Sequence, residues 1–578
     1  MQGEFCDGPP TIWPVIGRSR EVSASSLSDQ YTALLRQRPD IAQSFSKTLT
    51  QWEDLAWKWL GECTTKHSNC RYEPKSLPTR VLYVGSESAK PRLYITKREP
   101  AKYATLSHCW GGSNSLVTTS STIEKWKQEI RLKDLPNTFR DAVIITRKLG
   151  LRYLWIDSLC IIQDNAEDWA REAARMSEVY ENCYVMISAD DSSNSQSGCF
   201  MAKPTPNQRS FNVDGCPCPD GPTTRIWCRL TNERNDRQGE ACHRLWDVDV
   251  PDRSPLDNRG WALQERILAP RILHFGRREM AWECAKQLAC ECQVSSNKTD
   301  MQSRFNAQLV NSVSPSAPGY SSEDHAPENR FVWCNIVQEF TRRQLSRDTD
   351  RLPAISGLAS RMSLKATDEY VCGLWRNKLE HLLLWESADS HTSRRYKQYY
   401  APSWSWASIT GPVTYGIQPP IFDDDGKVQF LINKGEAHWE DDSKNYQLLL
   451  TILSVECLRS ELNPFGPPRS ASLTVRGLLA PAKLQSKLSS ELPGLPAEPE
   501  LILENGSADA RFNPDVYLET SLGAGLFLLF AEESGGIVLR RASNDSKTYE
   551  RVGMFACWEE EQLEEWRKLQ TEQTVRII

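Results

Sequence analysis

The chain has 578 residues, more than one hydrophobic core accommodates, so several domains are expected. A net charge of −6, with 39% apolar and 25% charged residues, excludes a global basic field that would draw nucleic acid or anionic lipid. The 20 tryptophans imply extensive buried aromatic surface, which excludes a disordered chain.

The first residues, MQGEFCDGPPTIWPVIGRSR, lack the basic start and apolar run of a secretory signal. No stretch reaches the roughly 18 apolar residues of a membrane helix; the longest, LGAGLFLLF at 522–530, is strand-length. No membrane span, a cytoplasmic location and mostly reduced thiols are therefore expected.

Residues 27–60 carry Leu34, Leu35, Ile41, Phe45, Leu49, Trp52, Leu55 and Trp59 near helical spacing, which predicts an N-terminal helical segment. VLYV (81–84) and RLYIT (92–96) read as a hairpin. From 103 strands and helices alternate: the strand YATLS, a short helix at 121–130, a helix opened by Pro136-Asn137-Thr138 with Asp141 as a capping box and closed by Gly150, the strand YLWID (153–157), one long helix over 166–181, and the strand YVMISA (184–189). This alternation predicts an α/β fold with a parallel, doubly wound sheet. Residues 196–257 read as loop, followed by a helix near 259–267 and the strands RILHF (271–275) and MAWEC (280–284). Residues 294–329 read as a mobile insertion. Helices resume over 330–385, and from 401 the strand candidates YQLLLTILSVE, SLTVRGLL, GLFLLF and GIVLRR predict a β-rich region, with a loop at 489–500. The expected division is 1–100, 101–290, 291–330, 331–400 and 401–578.

In a doubly wound sheet, ligands sit beyond the carboxyl ends of the strands. YATLS ends in Ser107, His108, Cys109, Trp110 and two glycines; YLWI ends in Asp157 and Ser158; YVMISA ends in Asp190 and Asp191. Parallel strands would collect these groups on one edge. On the helix that follows, Trp169, Ala173, Met176 and Tyr180 form one apolar stripe, and Glu172 is the only carboxylate flanking it. A desolvated carboxylate suits acid, base or cation-stabilising work, whereas pairing with a structural arginine such as Arg259 or Arg266 is the plainer alternative.

His108 and Cys109 allow a nucleophile site, half a metal site or a strand-end turn. Adjacent strand residues face opposite ways, so His108 is badly placed to activate Cys109, and the turn is favoured. Cys63-x3-His67-x2-Cys70 has a better metal spacing but shows only three ligands, which leaves it a weak zinc candidate. Cys216-Pro-Cys218 and Cys290-Glu-Cys292 are weaker still. In NRGWALQERILAPRILHFG (258–276), Trp261 and Glu265 are four apart, and Arg259 precedes a glycine. That segment is either a second wall of the pocket, with Arg259 meeting a phosphate or Glu172, or a helix packed on the sheet.

YATLSHCWGG, LRYLWIDSLCIIQDNAEDWAREAARMSEVYENCYVMISAD and NRGWALQERILAPRILHFG resemble, in order and spacing, the three blocks of the fungal heterokaryon-incompatibility (HET) domain, over about 103–275. The upstream Trp59…Cys63…His67…Cys70 resembles a frequent companion, and DRLPAISGLA (350–359), YVCGLW (370–375) and PSWSWAS (402–408) resemble the usual tail. The resemblance implies a fungal cytoplasmic protein acting in self/non-self recognition and programmed cell death, with self-association and other incompatibility or immune-signalling proteins as partners. It also implies distant similarity to the flavodoxin-like TIR domain, several of which hydrolyse NAD with a glutamate in a W-x-x-x-E arrangement. Trp169-Ala-Arg-Glu172 is one residue shorter. On this reading NAD is a substrate, no cofactor is required, Glu172 is catalytic, and Ser107, His108, Trp110, Asp157, Ser158, Trp169 and Arg259 bind substrate. The rival reading is a non-enzymatic signalling or regulatory module, in one version co-opted to a metabolic pathway. The sequence contains no phosphate-binding G-x-x-x-x-G-K-[ST] loop and no internal repeat.

Overall fold

The computed structural model describes residues 12–15 and 52–578 apart from breaks, the longest at 201–209, 231–252, 298–325, 430–448, 487–498 and 558–571. Two compact units divide near residue 303, and each is described by itself.

The first unit opens with α1 (Trp52–Lys66), which buries Trp52, Ala56, Trp59, Leu60 and Cys63 along one face, as the predicted periodicity requires. The earlier part of the predicted helix, residues 27–50, lies outside the described residues. Strands β1 (Arg80–Tyr83) and β2 (Arg92–Ile95) pair antiparallel as the expected hairpin. Then come β3 (Ala104–Ser107), α2 (Ile123–Gln128), α3 (Asn137–Lys148), β4 (Tyr153–Trp155), α4 (Ala166–Ala173), α5 (Met176–Glu181), β5 (Val185–Ser188), α6 (Gly260–Leu268) and β6 (Arg271–Phe275). Strands β7 (Met280–Cys284), β8 (Gln287–Cys290) and β9 (Ser295–Asn297) complete a nine-stranded sheet of order β9-β8-β7-β6-β5-β3-β4-β1-β2.

Strands β4, β3, β5 and β6 are adjacent and parallel. Within that parallel run the spatial order is second, first, third, fourth in chain order. The point where the order reverses lies between β3 and β5, and such a point opens a crevice at the strand ends. Ser107 pairs with Ser188, and Ser188 with His274, so three polar side chains share one row at the carboxyl edge.

Four local expectations are corrected. The helix over 166–181 is two helices, α4 and α5, with a turn at 174–175. Asp168 and Glu172 are buried while Trp169 is only half-buried, so Glu172 is not the sole carboxylate on the inner face. The capping box at α3 does not form: Asp141 accepts the Cys199 N–H at 2.9 Å and the Thr138 hydroxyl accepts the Gly198 N–H at 3.1 Å. Both side chains hold the 192–200 loop, because tertiary partners compete with the helix's own amides. The stretch 196–257, read as loop, contains the strands Ser210–Cys218 and Gly221–Leu230, which pair with each other, and Gly221–Leu230 also pairs with Ile12–Val15. Most of the predicted mobile insertion lies outside the described residues.

The second unit contains α7 (Ala326–Thr341), α8 (Pro353–Ser363) and an eight-stranded sheet built from Leu450–Leu458, Ser470–Ser486, Pro499–Leu503, Asp509–Pro514, Leu526–Phe530, Gly535–Arg541, Thr548–Cys557 and Glu572–Ile577. The β-rich C-terminal region is thus as expected. Its core includes Leu501, Phe512, Leu528, Phe530, Val538 and Phe555. The tail motifs meet around one glycine. Cys372 and Gly373 have φ of 52° and 93°, which makes the two-residue turn of the Tyr370–Trp375 hairpin. The Gly373 carbonyl accepts the indole N–H of Trp333 at 2.9 Å and of Trp406 at 2.8 Å, and Arg351 stacks on Trp406 at 5.3 Å.

Candidate functional site

The strand ends of the first unit carry a buried polar cluster. The backbone leaves β3 through His108 and Cys109 and turns at Gly111, whose φ is 70°. A β-carbon there would collide with Asn194, whereas one at Gly112 would meet open space. After β4, Asp157 opens a single helical turn, Asp157–Cys160, and receives the Ser158 N–H at 2.7 Å. Its other carboxylate oxygen accepts the Trp110 indole N–H at 2.7 Å and an Arg259 guanidinium N–H at 3.2 Å. Arg259, at the N-cap of α6, also donates to the His108 carbonyl. Six residues further along α6, Glu265 accepts the Ser107 hydroxyl.

Burial sets the protonation of these groups. Desolvation raises Glu265 above the ordinary carboxylate value, and the nearby charge of Arg259 only partly opposes it. Burial works against the charge of Arg259, but Glu265 and Asp157 outweigh it and hold the guanidinium charged. His108 is pushed down to about 4 by burial, despite Asp157 at 4.0 Å, so its ring is neutral at physiological pH. Burial raises the Cys109 thiol to about 11, which leaves it protonated and a poor nucleophile.

Several buried polar atoms of this cluster have no hydrogen-bond partner: both ring nitrogens of His108, the Ser158 hydroxyl and Oε1 of Glu265. Buried groups are nearly always satisfied, so these four atoms at one crevice are open to water or a ligand. The cluster reaches solvent at Trp110, Arg259 and the two glycines.

A second network adjoins it along the same edge. His274 on β6 lies between Asp190 and Glu283, each at 2.9 Å, and Glu283 is also held by Arg266 at 3.0 Å. Ser188 donates to Asp190 at 2.5 Å. Burial disfavours the imidazolium, yet the two carboxylates raise His274 to about 9, so it is charged at neutral pH.

The strand ends therefore bring together Ser107, His108, Trp110, Asp157, Ser158 and Arg259. Glu172 stands with another group. Its Oε1 is 3.8 Å from Arg80 Nη2, and Arg80 also donates to Asp168 at 2.5 Å and to the Cys160 carbonyl at 2.6 Å. The arginine facing Glu172 is thus Arg80 of β1, and not Arg259 or Arg266. Trp169 makes no contact with the cluster among the described interactions. The sequence reading paired Trp261 with Glu265 in a possible second wall of the pocket but gave Glu265 no role, although Trp261-Ala-Leu-Gln-Glu265 has the W-x-x-x-E spacing without a deletion. Of the paired cysteines, Cys290 is disulfide-bonded, and the side chains of Cys216, Cys218 and Cys292 lie outside the described residues.

Among the described residues, no helix is long and apolar enough to cross a membrane. Residues 103–265 match the family model for the heterokaryon incompatibility protein (HET). No curated protein and no solved structure matches the chain. The matched segment runs from the first residue of YATLSHCWGG to Glu265, so it spans the strand-end cluster, and the chain is a protein carrying a heterokaryon-incompatibility (HET) domain.

Proposed function

We propose that this protein is a cytoplasmic effector or regulator of fungal self/non-self recognition and programmed cell death, and that its strand-end cluster hydrolyses NAD at the nicotinamide–ribose bond. The observation that carries the reading is the set of unpartnered buried atoms on His108, Ser158 and Glu265 around the Arg259–Asp157 pair. The second-first-third-fourth strand order supports a flavodoxin- or TIR-like sheet, with the ligand at the reversal point.

Charge supports the same substrate. Two carboxylates, Asp157 and Glu265, face one guanidinium, Arg259. With both acids ionised the cluster is one negative charge in excess, which suits a cationic nicotinamide ring and an oxocarbenium-like ribose. In the reaction the C–N glycosidic bond breaks, and nicotinamide departs as a neutral base with the bonding pair. Water supplies the hydroxyl on the anomeric carbon and releases a proton to solvent. No general acid is needed, because the leaving group is already neutral. The carboxylate that faces the developing cation is Glu265 on geometry. Glu172 is the alternative, and it would first have to leave Arg80.

The test is nicotinamide release from NAD by the purified full chain, compared with Glu265→Gln, Glu172→Gln and Arg259→Ala. The expected result is a loss of about 10²–10³-fold for E265Q and a small effect for E172Q. The reverse pattern moves the role to Glu172. No release by the wild type, under conditions that promote self-association, leaves the HET domain as a non-enzymatic interaction module.

A further inference from the structure

Away from the strand-end cluster, four side chains converge that the proposed chemistry does not use. Cys63, His67, Cys70 and Cys284 bring three sulfurs and one imidazole nitrogen within 4.8 Å of one another. Cys63 projects from the buried face of α1, His67 follows the end of that helix, and Cys70 closes the 3₁₀ turn Ser68–Cys70. Cys284 comes from a different part of the chain, at the tip of the β7–β8 hairpin, where the amides of Lys286 and Gln287 face its sulfur. The three cysteines are free thiols. The missing fourth ligand of the Cys-x3-His-x2-Cys spacing is thus supplied from more than two hundred residues downstream.

The dimensions fit a metal ion. With metal–sulfur and metal–nitrogen distances of about 2.3 and 2.0–2.1 Å, a tetrahedral centre spaces its ligand atoms roughly 3.6–3.8 Å apart. Cys284 Sγ and His67 Nδ1 are 3.5 Å apart. Charge fits as well. Arg271 is buried and donates to the carbonyls of Tyr184 and Cys70, with Tyr72 and Tyr184 against its guanidinium. It has no carboxylate partner among the described residues, and its Nε is unpartnered. A buried guanidinium without a counter-charge is costly. A divalent ion with three thiolates carries one net negative charge, which Arg271 would balance.

We propose that Cys63, His67, Cys70 and Cys284 bind one zinc ion in a closed, structural site. Four protein ligands leave no open position for a substrate, so the role is to tie α1 and its following turn to the β7–β8 hairpin. Softness and geometry select the metal: three thiolates and one imidazole in a tetrahedron suit zinc over oxygen-preferring ions. A disulfide would satisfy only two of the three sulfurs.

The test is elemental analysis of the full chain, purified without a metal-affinity tag in the presence of reductant. About one zinc per chain is expected, and cobalt exchanged into the site should show tetrahedral and thiolate charge-transfer absorption. Cys284→Ser and His67→Ala should lower zinc content at least several-fold, whereas Cys457→Ser in the second unit should retain it. The cobalt spectrum is read on the wild type, so misfolding of a variant does not decide the outcome. Metal-free wild type that gives no thiolate–cobalt band, or a native disulfide among Cys63, Cys70 and Cys284, would overturn the assignment.

Discussion

Glu265 concentrates the problem of placing a charge inside a protein. It is fully buried, one oxygen rests on Ser107, and the other has no partner. Its folded-state value is raised, so the unfolded chain gives up its proton at lower pH than the native one. Stability is therefore lost as pH rises above the ordinary carboxylate range toward the raised value. Glu265→Gln keeps a polar amide beside Ser107 and removes that penalty. At neutral pH the variant should melt above the wild type, with the gap closing near pH 4. A variant that melts lower at neutral pH would show that the ionised carboxylate is paired rather than desolvated. Gly111 makes a second residue-scale case. Gly111→Ala meets both a positive φ and Asn194, and should cost about 1–3 kcal/mol in chemical denaturation. Gly112→Ala, with open space around it, is the control and should stay within about 1 kcal/mol of wild type.

Strands β6 and β7 carry the network that fixes the crevice wall. His274, Asp190, Glu283 and Arg266 are all buried, and each ionic group has an opposite neighbour. His274→Ala leaves two carboxylates facing each other with only Arg266 to offset them, and should cost about 3–5 kcal/mol by denaturant midpoint. The pH dependence has a definite sign. The raised value of His274 means its contribution is complete below the free-imidazole value and is lost as pH rises through about 9. Burial notwithstanding, His274 holds Asp190 below its ordinary value, so the same contact also weakens in strong acid. A wild-type stability profile flat from pH 6 to 10, or one unchanged by His274→Ala, would contradict this. At this scale the sequence was legible where hydrophobic period alone decides: β1 and β2, the parallel strands, α6 and the C-terminal strands are where alternation placed them. It was not legible where partners are distant. Thr138 and Asp141 have the form of a capping box, but the loop amides at Gly198 and Cys199 take them. Trp169 satisfies a helical stripe, but the break after Ala173 and the pairing of Asp168 with Arg80 rotate it outward.

Across the whole molecule, each unit has its own core and its own buried ion pair. In the second unit Arg551 and Asp515 are fully buried, 3.0 Å apart, with the guanidinium 3.5 Å above Trp385 and donating to the Leu383 and Trp385 carbonyls. Arg551→Ala should cost about 3–5 kcal/mol, because the buried Asp515 keeps only Arg395, 3.2 Å away, as a counter-charge. Pairing it with Asp515→Asn should recover part of the loss, and the double-variant cycle measures how much. Full additivity of the two substitutions would show that the pair is not coupled.

The sequence by itself determined the family blocks, the alternation of strand and helix over 103–191, and the edge on which polar groups gather, since periodicity and strand direction are local properties written in neighbouring residues. It also contained three of the four cysteine–histidine cluster residues at a recognisable spacing. Only the tertiary structure decided which charges meet. Ser107 with Glu265 and His67 with Cys284 are joined across 158 and 217 residues, and Glu172 is drawn to Arg80 of a strand that the linear pattern did not connect to it. Such pairings depend on the order in which strands lie side by side, and that order is set by the packing of the whole sheet.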